Sequence, residues 1–332
     1  MIAHQRWVFR RLSLWETFAV AFAILLPIFS VFVFPDLFPD DFDVFWQAAN
    51  GTSLDGFYYP HWALFILQPF TLFKNGLFAY FAWNIMNVLG MLYATRVFGG
   101  KAAVVLLCNP MIFNVYFGGA VGVVAAGIAF YAYHLERKPM LAGWGAAVAF
   151  IKPQLGLPLI LVLALTADTS WKNRFLSTIP WFIVLGLSLL AYGEWITGLL
   201  DRLQNAPPNA VASITLWQYL GPIVAVLWLG LFIPNLNRNQ RLLMVTAVSA
   251  LALPYYQHTG LLTMFMFPVG YLGLLSNIAY AQAFMGWAGV RLSVIIPLLV
   301  YGWLLWKAYH QWRIEVNIRE SGAAPRKKPE KE

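Results

Sequence analysis

Cysteine is almost missing from this chain. Cys108 is the only one in 332 residues, so an intrachain disulfide is impossible and a metal site built on cysteine spacing is excluded. Charge is scarce as well: Asp, Glu, Lys and Arg make up 11% of the sequence and hydrophobic residues 60%. A soluble domain carries about 25% charged and 45–50% apolar residues. The alternation of barrel strands is absent, and the apolar runs far exceed the roughly ten residues such a strand needs. What remains is an all-α, polytopic membrane helical bundle.

The formal net charge of +8 would point to nucleic acid in a soluble protein, but its placement argues for topology instead. Arg6, Arg10 and Arg11 precede the first apolar run, and Arg313, Arg319, Arg326, Lys327, Lys328 and Lys331 follow the last. Arg96 with Lys101, Arg137 with Lys138, Lys172 with Arg174, and Arg238 with Arg241 fall in connectors between runs. Short basic connectors mark the cytoplasmic side, so no nucleic-acid partner is expected. The run from Trp15 to Phe34 exceeds the 7–15 apolar residues of a signal peptide, and no small-residue cleavage site follows it. A retained first span is expected.

Since a span needs about 20 apolar residues, the first is expected over Leu14 to Phe34, ending outside. Next, DFDVFWQAANG reads as an amphipathic interfacial helix, with Phe42, Phe45, Trp46 and Ala49 at helical spacing. FYYPHWALFILQPFTLF, broken by Pro60 and Pro69, reads as a second interfacial or re-entrant element. Crossings are then expected over Leu77–Phe98, Ala102–Phe117 and Ala120–Tyr133, with Gly118-Gly119 as a turn. A hairpin follows, broken at Lys152-Pro153, and then a span from Phe175 to Tyr192.

After a second external segment containing Pro207-Pro208, further crossings are expected near Leu216–Ile233, Leu242–Leu253, Leu261–Leu275 and Leu292–Trp306. One more within residues 276–290 would keep the basic tail cytoplasmic. This makes about 11 or 12 membrane-embedded segments. Residues 1–312 would form a single transmembrane domain, with an external loop over about 35–76 and a disordered cytoplasmic tail over 313–332. No internal repeat marks an inverted-repeat transporter.

Against this apolar background, five of the seven aspartates fall between positions 36 and 55: Asp36, Asp40, Asp41, Asp43 and Asp55. No Lys or Arg occurs from Leu12 to Phe73. Carboxylates beside a membrane are costly to keep there without a role, and an aspartate outside a salt bridge can act as general base toward a hydroxyl. The bland reading is a solvated external loop. Two other polar spots fall on the same expected side: Lys152-Pro153-Gln154 at the break of the hairpin, and Tyr255-Tyr256-Gln257-His258.

A lysine within an apolar hairpin costs about 2.5–3.5 kcal/mol on insertion scales unless it meets an anion or water, and lysine binds phosphate as a point charge. Its alternative role is an anchor snorkelling to the interface. His258 is a candidate phosphate donor or proton relay, or else a satisfied turn histidine. His61 and Arg202 are weaker candidates. The acidic cluster lacks a distinctive ligand spacing, so no metal and no cofactor is expected.

Taken in order, these residues resemble the pattern of glycosyltransferase family 87 of the GT-C superfamily, a family that includes mannosyltransferases using polyprenyl-phosphate mannose. The matching residues are Asp41-Phe42, Phe45 to Ala49, Gly56, Tyr59-Pro60, Asn109-Pro110, Ala142-Gly143, Ile151-Lys152-Pro153-Gln154 and Pro254 to His258. His61 stands where the family has the second proline of Tyr-Pro-Pro, and Gly118-Gly119 stands in place of its Gly-Gln.

The resemblance implies a membrane hexosyltransferase of GT-C fold. It would transfer a monosaccharide, mannose by family habit, from a polyprenyl-phosphate sugar to a lipid or glycan acceptor, with inversion, at the outer face of the cell (inner) membrane. Asp41 would be the general base, with Asp43 as second choice. Lys152 and His258 would hold the donor phosphate, and Tyr59, Gln154 and Tyr256 would shape the sugar pocket. The lack of a Gly-rich phosphate loop agrees with a lipid-linked donor. A lipid or small-solute transporter, or a non-catalytic membrane subunit on the same scaffold, is the alternative.

Overall fold

The computed structural model describes residues 11–33, 40–204 and 213–320. Arg6, Arg10, Asp36, Pro207-Pro208 and the tail from 321 lie outside the described residues. Among those described the chain is helical, with one isolated antiparallel bridge between Ser213 and Gln257.

Helix α1 (Leu14–Val33) starts at a capping box. The Ser13 amide donates to Glu16 Oε2 at 2.8 Å, and the Glu16 amide donates to Ser13 Oγ at 3.2 Å. The same carboxylate lies 3.7 Å from Arg96, tying α1 to a later helix. There follow α2 (Asp40–Ala49), α3 (Ala63–Leu67) with a 3₁₀ turn over Gln68–Leu72, and α4 (Gly76–Phe98). Next are α5 (Ala102–Leu107), α6 (Asn109–Tyr116), α7 (Val121–His134), α8 (Pro139–Ala149) and α9 (Pro153–Thr166). After α10 (Trp171–Leu176), α11 (Ile179–Tyr192), α12 (Ile196–Gln204) and α13 (Trp217–Leu220), residues Gly221–Phe232 wind as 3₁₀. Then α14 (Arg238–Ala252) leads to a 3₁₀ turn at His258–Leu261, α15 (Leu262–Phe265), α16 (Leu272–Leu275), α17 (Gln282–Met285), α18 (Trp287–Arg291) and α19 (Ile295–Glu320).

Among the described residues, three helical stretches are long and apolar enough to cross a membrane: Gly76–Phe98, Trp171–Tyr192 and Trp287–Asn317. A fourth arises if α6 and α7, bent by 113°, count as one broken span. The other apolar helices are shorter, because the chain breaks more often than its hydropathy announces. The expected crossing over Ala102–Phe117 divides at Cys108, which is extended (φ −79°, ψ 152°). Pro110, lacking an amide N–H, sits in the first turn of the next helix. The expected descent from Leu261 divides around Pro268 and Gly270 (φ +66°). Residues 276–290 form short helical pieces rather than one crossing. At the other end α19 continues to Glu320, so 313–320, expected to begin a disordered tail, are helical.

Small residues set the tightest packing. A Cβ on Gly127 would lie 2.6 Å from the Gly145 carbonyl oxygen, and one on Gly145 would lie 2.6 Å from that of Gly127. Backbones of α7 and α8 therefore touch directly. A Cβ on Gly90 of α4 would meet the Gly122 carbonyl at 2.6 Å. Membrane helices, which gain little from hydrophobic burial against lipid, associate through such small-residue seams. The opposite faces present Phe182, Leu187 and Leu190 of α11 and Leu157, Leu161 and Leu165 of α9, all exposed, as helices facing lipid require.

Trp83 pins the turn between α6 and α7. Its indole N–H donates to the Gly118 carbonyl at 2.8 Å and to that of Gly119 at 3.1 Å, and the side chain is buried. Trp83→Phe keeps a ring there but leaves both carbonyls short of a donor. It is expected to lower stability by about 1–3 kcal/mol, measured as a reduced Tm in detergent against the unsubstituted chain.

Candidate functional site

The site begins with the way α2 is anchored. Its apolar side packs into protein, with Phe42 and Phe45 buried. The Phe42 amide donates to the Phe117 carbonyl at 3.1 Å, and the Phe42 ring lies 5.4 Å from that of Tyr80. Phe45 sits between Tyr59 at 4.9 Å and Trp83 at 5.7 Å. Tyr80 in turn donates to the Val115 and Tyr116 carbonyls, both at 2.9 Å. Helix α2 is thus bolted to α4 and to the α6–α7 turn. Gly118, at φ +70°, permits the approach, since a Cβ there would lie 2.5 Å from Phe42 Cβ. Asp41 occupies the first turn of α2, where the helix dipole favours negative charge.

Three groups from distant parts of the sequence surround Asp41. Burial and then the Asp41 carboxylate push the Tyr59 hydroxyl well above its ordinary pKa, with Tyr255 adding to the effect. Burial likewise raises Tyr255 to about 12, opposed by a hydrogen bond with Gln257 and reinforced by Asp41. Lys152, in the turn between α8 and α9, is buried, and its Nζ lies 5.6 Å from the centroid of the Tyr59 ring. Burial lowers the pKa of this ammonium and Asp41 opposes the shift. Pro153, the first residue of α9, explains why a lysine can stand here. It ends one helix and begins the next, leaving Lys152 at the junction with non-helical backbone (φ −114°, ψ 85°).

Asp41, Tyr59, Lys152 and Tyr255 therefore form one electrostatic unit. It holds the side chains of an aspartate and a buried lysine and two phenols whose pKa values burial raises. Such a set can accept a proton, offset a developing anion and donate hydrogen bonds to hydroxyl groups.

The remaining expected residues are distributed differently. Asp43 accepts a hydrogen bond from Gln47 Nε2 at 2.6 Å, within its own helix. Gln154 lies partly buried in the first turn of α9. Tyr256 points into the core, where its hydroxyl donates to the Gly260 carbonyl at 2.9 Å and lies 3.1 Å from that of Thr263. Tyr255, its neighbour, is the one that answers Asp41. No local sequence signal separates the two: Ile214 N–H bonds the Tyr256 carbonyl at 3.0 Å beside the Ser213–Gln257 bridge, so this stretch is extended. Successive side chains of an extended strand point to opposite sides.

His258 is buried, packed edge-on against Phe113 at 4.8 Å, and its Nε2 has no hydrogen-bond partner among the described residues. Burial pushes its pKa down to about 4, so as packed it is a neutral imidazole. Among the described residues no three His, Cys, Asp or Glu side chains converge to hold a metal ion.

No family model, curated protein or solved structure matches this chain. The class that fold and site define is thus a helical membrane protein with a buried lysine beside Tyr59, at a helix break that the Asp41 charge reaches.

Proposed function

We propose that this protein is a membrane-embedded glycosyltransferase of GT-C type, using a polyprenyl-phosphate sugar as donor at the outer face of a cell (inner) membrane. The observation that carries the reading is the buried Lys152, its Nζ 5.6 Å from the centroid of the Tyr59 ring, with the Asp41 charge acting on both side chains. Asp41 and Lys152 are more than a hundred positions apart in sequence, and with Tyr59 they coincide with the Asp-Phe, Tyr-Pro and Ile-Lys-Pro-Gln elements that resemble family 87.

In the reaction, an acceptor hydroxyl oxygen attacks the anomeric carbon of the donor as the carbon–oxygen bond to phosphate breaks. The hydroxyl proton passes to Asp41, and the polyprenyl phosphate leaves with the bonding electron pair, so the anomeric centre inverts. The donor is a phosphodiester and the product a monoester, so negative charge grows on the leaving phosphate. The ammonium of Lys152 offsets that charge as it develops. Tyr59, half-buried and kept neutral, donates to a sugar or phosphate oxygen, and Gln154 borders the same turn. His258, a neutral donor, would reach the phosphate through Nε2.

The direct test incubates purified protein in detergent with a polyprenyl-phosphate mannose carrying a radiolabelled sugar and with membrane-lipid acceptors. Labelled product whose anomeric configuration is opposite to the donor's is expected. Flux of donor across sealed vesicles without any product would establish the transporter alternative instead. Lys152→Met keeps the volume and removes the charge. It is expected to reduce kcat/KM about 10–100-fold, the worth of a charged hydrogen bond, and to lessen the polyprenyl phosphate that co-purifies, read by mass spectrometry.

A further inference from the structure

A second cluster lies on the other side of the segment that holds Tyr59. Phe57 is fully buried and touches both Tyr59, at 5.6 Å, and His61, at 6.0 Å. While Tyr59 turns toward Lys152, His61 turns toward α11 and α12. Its ring stacks on Trp195 at 5.1 Å with an interplanar angle of 23° and lies 5.9 Å from Tyr192. Trp62 packs edge-on against the same Trp195 at 5.5 Å. Arg202 of α12 is close enough that its guanidinium, after burial, lowers the pKa of His61.

What sets this cluster apart is its unsatisfied polar atoms. His61 Nδ1, Trp62 Nε1, the Tyr192 hydroxyl, and Nε and Nη2 of Arg202 are all buried without a hydrogen-bond partner among the described residues. His61 and Trp62 are themselves only 5% and 7% exposed. An indole N–H and a guanidinium are donors only, a phenol donates, and a neutral imidazole donates from whichever nitrogen holds its proton. Buried polar groups in native proteins are paired in about nine cases of ten, so several neighbouring orphans of donor character mark the place of an absent acceptor. The indole of Trp195 shows the contrast, because it has its own acceptor, Ser188 Oγ at 3.2 Å.

The position narrows the chemistry. Tyr192 closes the candidate span Trp171–Tyr192, and α12 follows directly with an amphipathic sequence. Aromatic and arginine side chains at the end of a span occupy the headgroup level of a bilayer. A planar guanidinium beside several N–H and O–H donors suits the oxyanion of a phosphate.

From these observations we infer that His61, Trp62, Tyr192 and Arg202 form a second, phosphate-binding site at the membrane interface, with Trp195 as its aromatic floor. Its ligand is a phosphate oxyanion, carried by a lipid headgroup or free in solution. The inference is independent of the transfer reaction proposed above. A chain that moves no sugar would still possess this site.

The experiment uses the full chain purified in neutral detergent and carrying Lys152→Met, so that binding beside Asp41 does not contribute. Binding of dodecyl phosphate, inorganic phosphate and, as an uncharged control, dodecanol is followed by thermal shift and by intrinsic tryptophan fluorescence. Dodecyl phosphate is expected to bind and to raise Tm, and dodecanol is not. Arg202→Gln should weaken that binding about tenfold or more, and His61→Phe, which keeps the stacked ring, about threefold to tenfold. Arg202→Lys should restore part of the loss.

Equal affinity for inorganic phosphate would assign the ligand as a soluble phosphate, and selectivity for dodecyl phosphate would assign it as a lipid headgroup. Both support the site. If neither phosphate binds, or if Arg202→Gln leaves binding unchanged, the inference is overturned. Stability without ligand gives a second readout. A guanidinium kept for a ligand burdens the empty protein, so Arg202→Gln should leave its Tm unchanged or higher, whereas a fall in Tm with ligand affinity intact would mark Arg202 as structural.

Discussion

Asp41→Asn is expected to lower sugar transfer by about 10²–10⁴-fold, the usual worth of a general base, while the protein stays folded. The substitution keeps the shape of the side chain and removes the group proposed to receive the hydroxyl proton. Helix α2 is held by Phe42 and Phe45, both buried and both following Asp41, so its fold does not hang on the carboxylate. A polyprenyl-phosphate donor should still co-purify, because Lys152 retains its charge. The measurement pairs initial rates of radiolabel transfer with mass spectrometry of bound lipid. Asp43→Asn is the matched control: its carboxylate is engaged by Gln47, and a loss smaller than about tenfold is expected. If Asp43→Asn proved the damaging change and Asp41→Asn the mild one, the role given to Asp41 would be wrong.

Gly118→Ala carries the second large effect, on stability and activity together. The residue is held at φ +70°, where an L side chain costs roughly 1–2 kcal/mol. The new methyl would also press on Phe42 Cβ, 2.5 Å from its ideal position, and overpacking of this kind typically costs about 1–3 kcal/mol. The relief available is a shift of α2, which carries Asp41, and misplacing a reacting group by about an ångström can cost 10²-fold in rate. Gly51→Ala separates the two causes. Gly51 has the same φ of +70° but nothing within 4 Å of a Cβ, so it should show the backbone cost alone and retain transfer. Thermal denaturation and transfer rates of the two variants, side by side, check this.

Legibility in the sequence followed the range of the interaction. The hairpin break at Lys152-Pro153 was readable because proline removes a donor locally, and the structure starts α9 at Pro153. The first turn of α2 at Asp40–Asp43 was readable from the spacing of Phe42 and Phe45. The continuity of crossings was less readable. Hydropathy counts carbon, whereas Cys108 and Gly270 interrupt helices through backbone geometry that leaves the apolar sum unchanged. Tyr255 was passed over for Tyr256 because the two are chemically identical and differ only in which side of an extended segment they occupy.

The orphan donors around His61 were invisible in the same way. His61 and Arg202 are separated by more than a hundred residues, and the sequence offers no period or motif that joins them. Whether a polar atom has a partner is a property of three-dimensional neighbours, not of residue type.

Composition and the length of the apolar runs alone determined that this is a helical membrane protein, because runs far longer than a barrel strand, without its alternation, can satisfy their peptide groups in a membrane only as helices. They also determined where an unusual carboxylate and an unusual ammonium lie along the chain. Only the tertiary structure decided that Asp41 and Lys152 act on each other, that α2 packs into the protein, and that a second set of donors gathers behind Phe57. Those outcomes depend on packing between segments far apart in sequence, and such packing is set by the shapes of small-residue seams and aromatic contacts that no single segment contains.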